Sequence, residues 1–226
     1  VKEGNILTFL IAYMIPILFI VPLFLTGQYL VQSVAEEKEN RVVELILSSP
    51  ISPSSLLMGK VFGLCLLGLI QMTIWFGGAA FALASTTVQI TASTIALSLL
   101  FFLLGYLFYG MVLAGLGAMG SSLRESQYIS MTVSWFALVP FILLPAIQEN
   151  VALARLLALF PFFTPMVMII RIFSHAPSIG EVFFFSLVLV ISTIIASRVF
   201  GRIFRATILM YGTRPTLRQL WRTLTV

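Results

Sequence analysis

The amino-acid sequence predicts an all-α polytopic membrane protein: five transmembrane helices, a re-entrant helical hairpin and one short helix on the cytoplasmic side. Three observations lead there. Of 226 residues, 60% are hydrophobic and only 9% are charged, against about 25% charged in a soluble domain. No charge occurs between Glu3 and Glu36, and none between Lys60 and Arg124; a crossing needs only about 20 apolar residues. The basic residues fall unevenly on the two sides that the spans define.

Span one covers residues 6–32 and contains Pro16 and Pro22, which should kink it. The apolar run after Lys60 is long enough for two crossings. The polar stretch STTVQITAST divides it into spans two (56–84) and three (95–119). Span four covers 128–147, with Pro140 and Pro145 near its end, and span five covers 182–200. Residues 150–173 are apolar but interrupted by Arg155, Pro161, Pro165 and Arg171, in pieces too short to cross. They are expected to form a re-entrant hairpin bent at PFFTP. All of residues 1–226 are expected to form one membrane domain, ending in a basic amphipathic tail at 201–226.

With five crossings, Lys38, Arg41, Lys60, Arg124, Arg198, Arg202, Arg205, Arg214, Arg218 and Arg222 share one side, against Lys2, Arg155 and Arg171 on the other. The positive-inside rule then places the N-terminus outside and the C-terminus in the cytoplasm. Arg198, Arg202 and Arg205 fall on one helix face, as do Arg214, Arg218 and Arg222. This pattern fits anionic lipid headgroups at about 1 kcal/mol per basic residue. Basic groups tied to a span argue against a nucleic-acid partner.

The densest charge lies in AEEKENRVVELILSSPISP. Residues 36–44 hold six charges summing to −2: Glu36, Glu37, Lys38, Glu39, Arg41 and Glu44, with Asn40 among them. Helical periodicity over 34–48 puts Val34, Ala35, Lys38, Val42, Leu45 and Ile46 on one face, and Glu36, Asn40 and Glu44 on the other. Pro50 ends that helix; Ser52 and Pro53 suit the cap and first position of the next. A surface helix normally carries Lys and Arg on its polar face, and the anionic inner leaflet repels this one. Its polar face is expected to meet a basic protein partner; the alternative is a solvated loop helix between spans.

Glu36, Glu37 and Arg41 also match EExxxR, a pattern of CAAX-type intramembrane proteases, but that chemistry needs several histidines. The chain has one, His175, and one cysteine, Cys65, so neither that site, nor a rhomboid dyad, nor an internal disulfide can be assembled. No GxxxxGK[ST] phosphate loop is present. GKVFG (59–63) is a GxxxG match, and glycines dot span three; both are expected to pack helices within the chain, with a dimer seam as the alternative.

QSVAEEKENRVVELILSSPISPSSLLMGKVFG (32–63), LALFPFFTPMVMIIR (157–171) and FGRIFRATILMYGTRPTLRQLWR (200–222) resemble, in order, segments of type-2 ABC exporter permeases. The branch concerned includes sodium-extrusion permeases. The resemblance implies a prokaryotic cell (inner) membrane permease that exports a substrate of unassigned identity. It implies a homo- or heterodimer with a second permease subunit, driven by a separate cytoplasmic ABC ATPase. ATP and Mg would be bound by that partner; no cofactor and no catalysis are expected of this chain. It implies a coupling helix at 34–48, with Glu36, Glu37, Lys38, Glu39, Asn40, Arg41 and Glu44 facing the ATPase. It also implies a first span and an extracytoplasmic domain upstream, in keeping with an opening Val1 and no signal peptide. The alternative function is a membrane scaffold or accessory subunit without its own transport path.

Overall fold

The computed structural model describes residues 3–40, 42, 51–83, 91–174 and 177–207. These residues form helices and connecting turns, with no strand among them. The helices are α1 (Glu3–Glu39), α2 (Pro53–Leu83), α3 (Ala92–Gly117), α4 (Leu123–Ile142), α5 (Leu144–Glu149), α6 (Val151–Ala158), α7 (Thr164–Ser174) and α8 (Ile179–Thr207).

The helix starts follow local chemistry. Ser52, Thr91, Ser122 and Asn150 each accept a hydrogen bond from the backbone N–H three residues on, capping α2, α3, α4 and α6. The expected Ser52–Pro53 start of α2 is therefore observed. At the end of α4, Pro145 lacks the N–H that would continue the helix. The chain turns at Leu143, and Pro145 takes its place in the first turn of α5. The expected span 128–147 is accordingly broken: its helix begins earlier, at Leu123, and stops at Ile142.

α3 is the hub. It packs against α1, α2, α4, α7 and α8. Phe101, Phe102, Tyr106, Met111 and Ala114 on it are almost fully buried. Its glycines admit neighbours closely: a Cβ on Gly115 would lie 2.6 Å from Phe200 of α8, and one on Gly110 would lie 2.8 Å from Val61 of α2. This is the intrachain packing expected of span three. The GKVFG pair behaves otherwise. Gly59 and Gly63 are exposed and meet nothing within 4 Å, because Leu57, Val61 and Cys65 take the inward face of α2.

α6 and α7 are two short helices packed on each other and joined by a bend at residues 159–163. The turn is fastened from two directions. The Tyr109 hydroxyl donates to the Phe162 carbonyl, and the Thr164 hydroxyl donates to the carbonyls of Ala158 (2.7 Å) and Phe160 (3.0 Å). α7 is buried from Thr164 to Ile172, so this segment is core, covered by α1, α3, α4, α5, α6 and α8.

Among the described residues, three helices are long and apolar enough to cross a membrane: Ser55–Trp75 within α2, Ala92–Gly117 and Ile179–Thr207. The expected count of five draws in α1 and α4 as well. α1 has 37 residues, roughly 55 Å at 1.5 Å per residue, and runs past the expected end at Gln32. Val34 to Glu39 are its last turns rather than the start of a separate helix, while residues 43–50 lie outside the described set.

Candidate coupling site

The charged end of α1 is fastened to three other elements. Lys38 is 4% exposed. Its ammonium donates to the carbonyls of Ala118 (2.6 Å) and Gly120 (3.1 Å), just beyond the end of α3. A helix leaves its last carbonyls without intrahelical partners, and its C-terminus carries partial negative charge; a lysine from another helix here answers both. Burial lowers the pKa of Lys38, and the nearby Glu125 carboxylate opposes that shift. Glu39, on the exposed side, accepts a hydrogen bond from the Leu123 N–H at the start of α4 (3.1 Å). Glu37 forms an ion pair with Lys60 of α2 at 2.7 Å, and Lys60 also donates to Ser33. Gln32 donates to Glu36 at 2.7 Å. Asn40 is exposed; Arg41 and Glu44 lie outside the described residues.

Val34, Ala35 and Lys38 share one helical face by periodicity, and all three are buried. Val42, assigned to the same face, is 38% exposed. The internal roles of Lys38, Glu37 and Glu39 are invisible in sequence, because their partners lie 23 to 84 residues away. Between α1 and α2, a cavity of about 550 Å³ is lined by Tyr29, Gln32, Ser33, Glu36, Lys60 and Gly63, among others.

Of the basic residues expected at lipid headgroups, Arg198, Arg202 and Arg205 are exposed on the last turns of α8. Arg214, Arg218 and Arg222 lie outside the described residues. No group of three or more His, Cys, Asp or Glu able to hold a metal occurs among the described residues.

A second polar cluster was not foreseen. Glu181, in the first turn of α8, accepts from Arg155 of α6 and, at 3.1 Å, from Arg171 of α7. The clue was a single arginine in MVMIIRIF: an ionisable group inside an apolar helix needs a partner. Sequence alone did not nominate Glu181.

Described residues that are all helix and turn, with three long apolar helices and charges gathered at their ends, make a polytopic membrane protein. Residues 2–201 match the family described as ABC-2 family transporter protein, and the chain belongs to that family. Membrane permeases of that family generally pair with an ABC ATPase. The chain is 26% identical over 225 residues to an uncharacterized protein, MJ1024, of Methanocaldococcus jannaschii, covering 97% of this chain and 56% of the relative. It is 25% identical over 210 residues to the uncharacterized protein YhaP of Bacillus subtilis, covering 83% of this chain and 48% of the relative. The chain thus spans about half the length of these curated relatives. No solved structure matches it.

Proposed function

We propose that this chain is the permease half of a type-2 exporter that receives its motion at the end of α1. ATP is hydrolysed in a separate cytoplasmic ABC ATPase, and the segment around residues 36–44 is the part that the ATPase grips. The carrying observation is the fastening of this segment. Lys38 holds the end of α3, Glu39 holds the start of α4, and Glu37 holds α2 through Lys60. A displacement of the charged end of α1 is therefore passed to three helices rather than absorbed in a loop. In this arrangement the protein crosses the membrane five times, with α7 as a re-entrant element, its N-terminus outside and its C-terminus in the cytoplasm. It works as a dimer of permease subunits, and the basic end of α8 rests on anionic headgroups.

The test is co-purification with a co-expressed ABC ATPase from the same genome, using wild type and a Glu36→Ala, Glu37→Ala, Arg41→Ala variant. Recovery of the ATPase should fall about tenfold, equivalent to ~1.4 kcal/mol. Lys60→Ala, which removes the internal partner of Glu37, should leave assembly in place. Undiminished assembly and undiminished ATPase coupling in the triple variant would overturn the assignment.

A further inference from the structure

We propose that the cavity between α6 and α8 binds one anionic phospholipid, its phosphate on Arg155 and an acyl chain along Leu156, Leu159 and Phe184. The cavity measures about 540 Å³, within the roughly 300–1,000 Å³ typical of small-ligand sites. Its polar residues gather at the Arg155–Glu181–Ser178 end and the rest of its lining is apolar.

Charge identifies the head. Among the described residues, Arg155 and Arg171 share the single carboxylate of Glu181, a net charge of +1. Both oxygens of that carboxylate are already engaged: Oε1 by Arg155 and Arg171, Oε2 by Arg171 and the Ser178 N–H. Arg171 is 5% exposed, and its Nη1 is buried without a hydrogen-bond partner. An uncompensated charge in a poorly hydrated place is costly. A second anion neutralises it, and Arg155, 59% exposed and lining the cavity, is the group able to meet that anion. Arg171 does not line the cavity and contributes charge through its pairing with Glu181.

The apolar lining identifies the body. Leu156, Leu159 and Phe184 are each about half exposed or more, and a free inorganic anion would cover none of them. Glu181 lies in the first turn of α8, where a helix enters the membrane and phosphates reside. A lipid with a singly charged phosphate satisfies both halves of the site, whereas a zwitterionic lipid brings its own cation to an already cationic cluster.

The experiment uses the full chain, purified in detergent, with phosphatidylglycerol, phosphatidylcholine and inorganic phosphate as separate additions. Native mass spectrometry reads retention and thermal unfolding reads stabilisation. Phosphatidylglycerol should be retained and raise the melting temperature; the other two should do neither. Arg155→Ala should weaken phosphatidylglycerol binding about fivefold, the worth of one basic residue against anionic lipid. Leu159→Gln should weaken it too, and Arg124→Ala, an exposed arginine at the start of α4 outside the cavity, should not. Equal retention of phosphatidylcholine, equal binding of inorganic phosphate, or loss on Arg124→Ala without loss on Arg155→Ala would each overturn the proposal.

Discussion

At the scale of single residues, Lys38 shows how position changes the meaning of a charge. In sequence it is one member of a charged cluster. In the structure it is a capping group for another helix, donating to the Ala118 and Gly120 carbonyls while its methylenes run through packed surroundings. Lys38→Ala leaves those carbonyls without their donor and should cost about 1–3 kcal/mol, read as a lowered melting temperature in detergent. Glu37→Gln removes a pair with one partly exposed partner, and such pairs contribute about 1 kcal/mol or less; the ordering of the two losses checks the assignment. The sign of the pH effect follows from the lowered pKa of Lys38. The unfolded chain binds that proton more tightly, so this group's contribution is least favourable below the folded pKa. It improves as pH rises toward the ordinary lysine value.

At the scale of elements, α3 is organised by what its neighbours must reach. Phe200 of α8 sits against Gly115, and Val61 of α2 against Gly110, so α8 and α2 approach the hub backbone where side chains would hold them off. Gly115→Leu forces α8 outward and should destabilise by about 1–3 kcal/mol or more. Gly59→Leu, placed where nothing lies within 4 Å, should shift stability by no more than about 0.5 kcal/mol. Thermal unfolding of the two variants side by side checks both, and equal losses would contradict the described packing. The starts of α2 and α3 were readable because Ser52, Pro53 and the polar 85–94 stretch act locally. The break at Leu143 was not, because a proline near the end of an apolar run is equally compatible with a kinked helix that continues. The outward turn of Gly59 and Gly63 was also hidden. GxxxG records that a close approach is possible, and the inward face of α2 was decided by Leu57, Val61 and Cys65.

At the scale of the whole molecule, local signals give way to long-range pairings and to the membrane itself. Arg155 and Arg171 counted in the sequence only as a basic minority outside, yet both meet Glu181 across 10 to 26 residues. Periodicity carries no trace of such a meeting. The sidedness argument, by contrast, gains from α8. Glu181 and Arg198 stand 17 positions apart on one helix, roughly 26 Å along its axis, close to the ~30 Å of hydrocarbon. If α8 crosses the membrane, as proposed, the charges at its two ends lie near opposite interfaces, and Arg202 and Arg205 follow on the basic side. If that side is cytoplasmic, the α3–α4 turn fastened by Lys38 lies in the cytoplasm and the approach to α3 at Thr91 lies outside. Single cysteines at Thr91 and Arg124, both exposed positions, placed in a Cys65→Ala background, test this on intact cells with a membrane-impermeant maleimide. Thr91→Cys should label at once and Arg124→Cys only after permeabilisation. The reverse pattern would put the charged end of α1 on the outer face, beyond the reach of any cytoplasmic ATPase. Immediate labelling at both positions would remove the crossing by α3 on which the proposed transmission depends.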